Sequence, residues 1–356
     1  MTIKYVNVRG GAGVAAANHA TRPQDDLYLA VNGDWLATTE IPADQSMTGG
    51  VMDLFFNVED QLLADFAKFR QQPATVQDSI LREAVKLDQL ALDFEKREAD
   101  GIRPAQIRLA ILDQLHHWDD VNDQLAELIK MGAPLPFDLF TEPDMKNTTR
   151  KLLTFGVPNL ILPGKKTTRL KIKRGQQLLA TWHQMAVDVL KRFGFEETVA
   201  TQLVDQAVAF DASLVPFVKG TEELADYTAR YHPTDFAEFT RLIPAIDLNQ
   251  AIADILQRLP VQINVTQPEY FKHLNQLLTT TPFEEFKAWL QVKLILETTA
   301  YLTEDLRQLG DRYRGVLGGR RATPSQEKQA YRMVVRYFDD VIGKYYGETY
   351  FGDQAR

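Results

Sequence analysis

The sequence predicts a mainly α protein, a large helical lobe with a minor β insertion around residues 135–163. Three observations predict it. Apolar residues recur at three- and four-residue steps over most of the chain, the period of an amphipathic helix. Proline and glycine punctuate those stripes where helices should stop. Only from Pro134 to Pro163 do short β-like runs take over, "FDLF", "KLLTFGV" and "NLIL", separated by Pro, Gly, Asn and Thr breaks.

In chain order, Val51, Leu54, Phe55, Val58, Leu62, Phe66 and Phe69 form one apolar stripe after Gly49-Gly50, and Pro73 stops it. "TVQDSILREAVKLDQLALDFEKREADG" reads as a second helix with Gly101 as its end signal. Pro104 opens a third, through Leu115, and "VNDQLAELIKMG" is a fourth, ended by Gly132. After the β-like stretch, helical periodicity returns near Gln176. It continues through "LLATWHQMAVDVLKRFG", "EETVATQLVDQAVAFDASLV", "PTDFAEFTRLI" and "FEEFKAWLQVKLILETTAYL". The last helix is the long "SQEKQAYRMVVRYFDDVIGKYYGETYF", with Thr323 or Ser325 as N-cap. No fixed-period repeat is present.

Composition narrows the function. The 356 residues are 45% hydrophobic and 25% charged, an ordinary globular balance with length enough for a substantial core. The 40 basic and 48 acidic residues leave a formal charge of −8, which disfavours nucleic acid as a partner. With no cysteine, disulfides, zinc–thiolate sites and cysteine nucleophiles are excluded. No apolar run reaches the roughly 18 residues of a membrane span, and the N-terminus lacks a continuous signal-peptide core. A cytoplasmic protein is expected.

Motifs for chemistry are scarce. "GAGVAA", Gly11–Ala16, matches G-x-G-x-x-A, but Pro23 interrupts and no βαβ pattern follows, so a flexible N-terminal segment is the better reading. The histidines, at 19, 116, 117, 183, 232 and 273, include no pair four apart with a Glu between, as a helical zinc site requires. His116 and His117 point about 100° apart on a helix and read as a solvated pair. None of Ser46, Ser79, Ser213 and Ser325 sits in a G-x-S-x-G elbow, and "GGRRATP" at 318–324 is a basic loop without the Lys-Ser/Thr of a phosphate loop. Lys165, Lys166, Arg169, Lys171, Lys173 and Arg174 cluster in "GKKTTRLKIKR", but no stacking aromatic is interleaved. A solvated loop is favoured there over an anion or nucleic-acid contact. Asp119-Asp120 and Asp339-Asp340 read as helix-surface pairs.

One stretch stands apart. "DDLYLAVNGDWLATTEIPADQS", Asp25 to Ser46, resembles the N-terminal signature of the neprilysin-like zinc endopeptidases, a family that includes bacterial oligopeptidases of the PepO type. The residues carrying the resemblance are Asp25, Asp26, Leu27, Tyr28, Val31, Asn32, Gly33 and Trp35, then Ile41-Pro42. Further segments resemble the family in its order: "PDMKNTTRKLLTFGVPNLILPG" through Asp144, Asn147 and Leu162-Pro163, and "LKRFGFEETVATQLVDQAVAFDASL". Next come "YHPTDFAEFTRLIPAIDL" through Tyr231, Glu238, Pro244 and Asp247, then "QPEYFKHLNQLLTTTPFEEFKAWL" and "GKYYGETYF". Residues after about Pro23 are nearly all covered. By itself Asn32-Gly33 reads as a turn that lets the chain reverse, with Tyr28 and Trp35 as packing residues.

The resemblance implies the helical, non-catalytic N-terminal part of a two-lobed zinc metallopeptidase. In the complete enzyme, a zinc-bound water activated by a glutamate attacks the carbonyl of an oligopeptide, while the helical lobe encloses and size-selects it. The family's H-E-x-x-H, its downstream Glu and its N-A-[YF]-Y segment do not occur here. A missing catalytic lobe, no zinc bound by this chain, no hydrolysis by it alone and self-association through an uncovered inward face are therefore expected. Residues 1–50 are read as an extended signature segment near the lobe seam, 51–347 as the helical cap and 348–356 as the start of the link. Asn32, Gly33, Trp35, Met47 and Gly49 are the candidate cleft or seam residues. Departures are Leu248 for a tryptophan and Lys165–Thr168 for Arg-x-Tyr-Tyr. At Met47, some relatives place an arginine that receives the substrate's terminal carboxylate. A thioether cannot form that bidentate bond, which favours cleavage at internal bonds. A helical peptide-binding protein without catalysis is the alternative, and an anion or nucleic-acid binder using Lys165–Arg174 ranks last.

Overall fold

The computed structural model describes residues 21–162, 173–220 and 222–352. In chain order the helices are α1 (Leu27–Thr38), α2 (Gly50–Gln71), α3 (Ser79–Leu92), α4 (Phe94–Asp100), α5 (Arg103–Leu109) and α6 (Trp118–Lys130). Strands β1 (Asp138–Asp144) and β2 (Asn147–Gly156) follow, then α7 (Lys173–Arg192) and α8 (Glu197–Leu214). Next come β3 (Pro233–Asp235), α9 (Phe236–Thr240), α10 (Leu248–Leu256) and β4 (Gln262–Val265). The last four are α11 (Pro268–Thr280), α12 (Phe283–Thr298), α13 (Glu304–Gly318) and α14 (Gln326–Tyr350). The mainly α class with a small sheet is thus as expected. The chain divides into two compact units, one of Met1–Glu95 with Arg314–Arg356, the other Lys96–Tyr313.

In the first unit, α2, α3 and α14 share a core. Leu62 and Phe66 meet Leu81, Ala84 and Val85, with Tyr331, Val334, Val341 and Ile342 closing it. Phe66 is fully buried, which contributes about 1.5–3 kcal/mol. Its ring meets Phe69 and Tyr331 edge-on at 5.8 and 6.2 Å. The predicted stripe on α2 is therefore only half inward: Val51, Leu54 and Phe55 stay exposed. Two buried carboxylates stitch the helices. Asp88 of α3 takes Arg70 at 2.6 Å, and Asp65 of α2 accepts from Tyr345 and Tyr350 at 2.9 and 2.7 Å. Burial works to raise the Asp65 carboxyl, but the Tyr350, Lys68 and Tyr345 bonds prevail and leave it lowered.

The second unit combines a helical core with a four-stranded sheet in the order β1-β2-β4-β3. β1 and β2 form an antiparallel hairpin, Asp138 opposite Gly156; β4 runs parallel to β2 and antiparallel to β3. β2 is exposed from Asn147 to Lys151 and largely buried from Leu152 on, where Phe155 packs on Phe239 at 4.7 Å. Phe210 of α8 meets Trp289 and Phe286 of α12 at 5.2 and 5.5 Å.

Several elements differ from expectation. The helix read over 75–101 begins at Ser79, because Asp78 caps the Ile80 and Leu81 amides, and it breaks at Asp93 into α3 and α4. "PTDFAEFTRLI" is strand β3 followed by one short helix, since residues 233–235 complete the sheet beside β4. "NLIL" is not a strand. The Asp211 carboxylate captures the Ile161 N–H at 3.1 and 3.2 Å, Tyr313 Oη donates to the Ile161 carbonyl at 2.7 Å, and Lys293 Nζ donates to the Asn159 carbonyl. Those partners occupy the backbone groups a ladder would need. Ser325, not Thr323, caps α14, accepting from Lys328 N at 3.2 Å.

Candidate functional site

The candidate residues fall on two neighbouring pieces of the first unit's sequence. Asn32, Gly33 and Trp35 lie in α1, with Asn32 and Trp35 one turn apart on one face. The Asn-Gly turn expected there does not form, and helix runs through it. Asp26 caps the start by accepting from Leu29 N at 2.9 Å, and Asn32 Nδ2 donates to its own helix at the Tyr28 carbonyl, 3.0 Å away. The Asn side chain thereby serves the helix rather than a turn. Of the two expected packing residues, Tyr28 is 39% exposed and Trp35 half-buried. No residue of α1 is buried, although Leu27, Tyr28, Leu29 and Val31 are among its exposed side chains.

Met47 and Gly49 lie in the irregular segment between α1 and α2, Met47 half-buried and Gly49 buried. Gly49 has φ 152° and ψ 168°, a region essentially reserved for glycine, and its carbonyl accepts the Asp53 amide at 2.8 Å to start α2. Thr48 Oγ1 donates to Asp53 Oδ1 at 3.0 Å across that junction.

The segment is held by residues about 280 positions away. Arg321 Nη2 donates to the Ile41 carbonyl at 2.7 Å, and the Arg321 and Ala322 amides both donate to the Ala43 carbonyl, at 2.8 and 2.9 Å. On α14, Lys328 reaches Asp44 at 3.0 Å, and Arg332 makes two bonds to Glu59, at 2.7 and 3.2 Å. Glu59 is 2% exposed, and its carboxylate is paired by those cations. Sequence reasoning missed this set. The only local signal was the i, i+4 spacing of Lys328 and Arg332.

Elsewhere, His117 caps α6 through Asp120, His183 pairs with Asp205 at 2.8 Å and His273 stacks on Phe217. His232 bonds the Val265 carbonyl at 3.0 Å. Two residues singled out in separate segments, Asp144 and Tyr231, meet: Tyr231 Oη donates to Asp144 Oδ1 at 2.6 Å. That bond, with the Lys146 amide and Arg150, holds the Asp144 carboxyl down to about 2. "GAGVAA", His19 and most of the Lys165–Arg174 run lie outside the described residues.

Residues 23–356 match the N-terminal model of peptidase family M13. The chain belongs to peptidase family M13. It is 35% identical to a neutral endopeptidase of Lactobacillus helveticus over 99% of this chain and 55% of that protein. It is 33% identical to a neutral endopeptidase of Lactococcus lactis subsp. lactis, over 94% of the chain and 53% of the relative. The crystal structure of PepO from Lactobacillus rhamnosis HN001 superimposes with TM-score 0.87 at 33% identity, covering 94% of this chain and 52% of that one. An inhibitor complex of the Mycobacterium tuberculosis zinc metalloprotease Zmp1, 24% identical, shares the fold with TM-score 0.84, covering 94% and 51%. The chain thus spans about half the length of the M13 relatives it matches. Among the described residues, no three His, Cys, Asp or Glu side chains are grouped to hold a metal ion. The described residues therefore offer no set of donors that fits zinc. No helix among the described residues is long and apolar enough to cross a membrane.

Proposed function

We propose that this chain is the helical N-terminal part of a zinc metalloendopeptidase that hydrolyses oligopeptides, and that it encloses and size-selects the peptide. One observation carries the reading: the M13 match over residues 23–356, to neutral endopeptidases about twice as long. Zinc and the residues that activate water belong, on this reading, to a catalytic lobe outside these 356 residues.

The exposed apolar side chains of α1 support it. A helix carrying Leu27, Tyr28, Leu29 and Val31 at the surface, with none of its residues buried, is the kind of element another body covers. We assign that cover to the catalytic lobe. Asn32, Gly33 and Trp35 then lie at the seam, and Met47–Gly49 borders the peptide. Met47 offers no cation for a terminal carboxylate, which suits cleavage at internal bonds. The absence of cysteine is the ground for proposing a cytoplasmic site of action, testable by cell fractionation.

Reading the gene beyond Arg356 tests the proposal. A continuing frame with H-E-x-x-H is expected, together with zinc and cleavage of a quenched peptide by the whole product. The 356-residue chain should show neither zinc nor turnover, and should self-associate in sedimentation. A stop codon after Arg356 would leave a peptide-binding protein instead. Stoichiometric zinc and turnover in this chain alone would refute the division of labour.

A further inference from the structure

We propose that Arg321 is a positioning residue for the Met47–Gly49 segment, fixing it from the loop between α13 and α14. The inference rests on the reading that this segment borders the bound peptide. Residues 39–49 form no helix or strand, and two of their carbonyls, Ile41 and Ala43, take partners from distant residues. Arg321 supplies two. Its guanidinium holds the Ile41 carbonyl at 2.7 Å, and its amide holds the Ala43 carbonyl at 2.8 Å, alongside the Ala322 amide.

The grip is itself anchored. Arg320 N donates to the Gly315 carbonyl at 2.8 Å, tying the loop to the end of α13. The segment is tightened by a turn in which Gln45 N donates to the Pro42 carbonyl at 3.0 Å, and Lys328 holds Asp44 at 3.0 Å. On the far side, Thr48 is bonded to Asp53 and Gly49 adopts its glycine-only geometry. Met47 therefore sits between two fixed points, Asp44 and Thr48, with three residues to span them. Arg321 is exposed and outside the hydrophobic core. Removing its side chain breaks the Ile41 bond and keeps the amide bond to Ala43, which should loosen the segment and leave the fold standing. A loosened segment binds ground state and transition state equally less well, which raises KM and spares kcat. Global destabilisation would instead reduce the active fraction, lowering kcat at constant KM.

The test uses Arg321→Ala and Arg321→Lys. In the 356-residue chain, hydrogen exchange at the Gln45 amide, which donates to the Pro42 carbonyl, should quicken about tenfold in the Ala variant. It should quicken less in Lys, while the amides of α2 and α14 keep their protection. Unchanged exchange at Gln45, or a uniform increase over the whole first unit, overturns the inference. In the product of the whole reading frame, a quenched peptide should show KM raised several-fold and kcat within about twofold. Loss of kcat at constant KM overturns positioning. Faster exchange with both constants unchanged leaves the anchor real and sinks the placing of Met47–Gly49 beside the peptide.

Discussion

Replacing Asp211 tests the interior of the second unit. The carboxylate is 4% exposed and accepts from two buried donors, the Ile161 N–H at 3.1 and 3.2 Å and Trp289 Nε1 at 3.0 Å. Asp211→Ala strands both donors away from water, at about 1–3 kcal/mol each, so the unfolding free energy should fall by about 2–6 kcal/mol. Asp211→Asn retains one acceptor oxygen but presents an NH2 to a site of donors. It should cost about 1–3 kcal/mol for the donor left unserved. The Asn variant also carries a pH signature. Burial raises the Asp211 carboxyl above its ordinary value, against the opposing pull of the Trp289 bond, the Lys293 charge and the Ile161 amide. A carboxyl raised on folding holds its proton more tightly in the folded state. Its contribution is fully present below the unfolded pKa and is lost as pH rises through the folded one. The advantage of Asp over Asn should therefore be largest in acid and shrink as pH rises through that window. Urea unfolding followed by tryptophan fluorescence at several pH values measures both effects. An Ala variant within about 0.5 kcal/mol of the parent would refute the claim that this carboxylate holds the 159–161 segment.

Other substitutions probe other joints. Tyr231→Phe removes the leading cause of the lowered Asp144 carboxyl. A depressed carboxyl contributes stability above its unfolded pKa that is lost as pH falls through its folded value of about 2, so the variant should begin acid unfolding at a higher pH. Carboxyl NMR titration would show Asp144 moving up. Gly49→Ala forces a Cβ onto a backbone at φ 152° and should cost about 1–3 kcal/mol in thermal unfolding. Gly310→Ala would place a Cβ 2.7 Å from Thr299 Cβ, itself fully buried. Overpacking there should cost about 1–3 kcal/mol or more, read from the urea midpoint.

Legibility in the sequence followed the range of the interaction. Helices α2, α8, α12 and α14 were readable because a stripe such as Leu62-Phe66-Phe69 repeats a local geometric constraint. Strands β3 and β4, of three and four residues, were not. Each is too short for a period and is defined by a partner elsewhere, Thr234 by Ile263 and Asn264 by Thr154. "NLIL" had strand composition, yet side chains from three helices claimed its backbone first. Asn32-Gly33 had turn chemistry, but the Asp26 cap and the Asn32 bond to Tyr28 satisfied a helix instead. Of the candidate site, resemblance located Asn32 to Gly49. Arg321 and Lys328 are joined to that stretch only through space; the basic loop at 318–324 and the Lys328–Arg332 spacing mark charge there but not its partners.

The surface character of α1 makes it a built-in reporter. Twelve residues are about the length at which an isolated helix in water is only marginally formed, and a helix without buried side chains draws little support from packing. Its stability should then rise and fall with whatever lies against Leu27, Tyr28, Leu29 and Val31. Trp35, the first unit's sole tryptophan, sits on that helix, so its emission should track the helix–coil balance of α1 and give an optical signal for assembly without any added label.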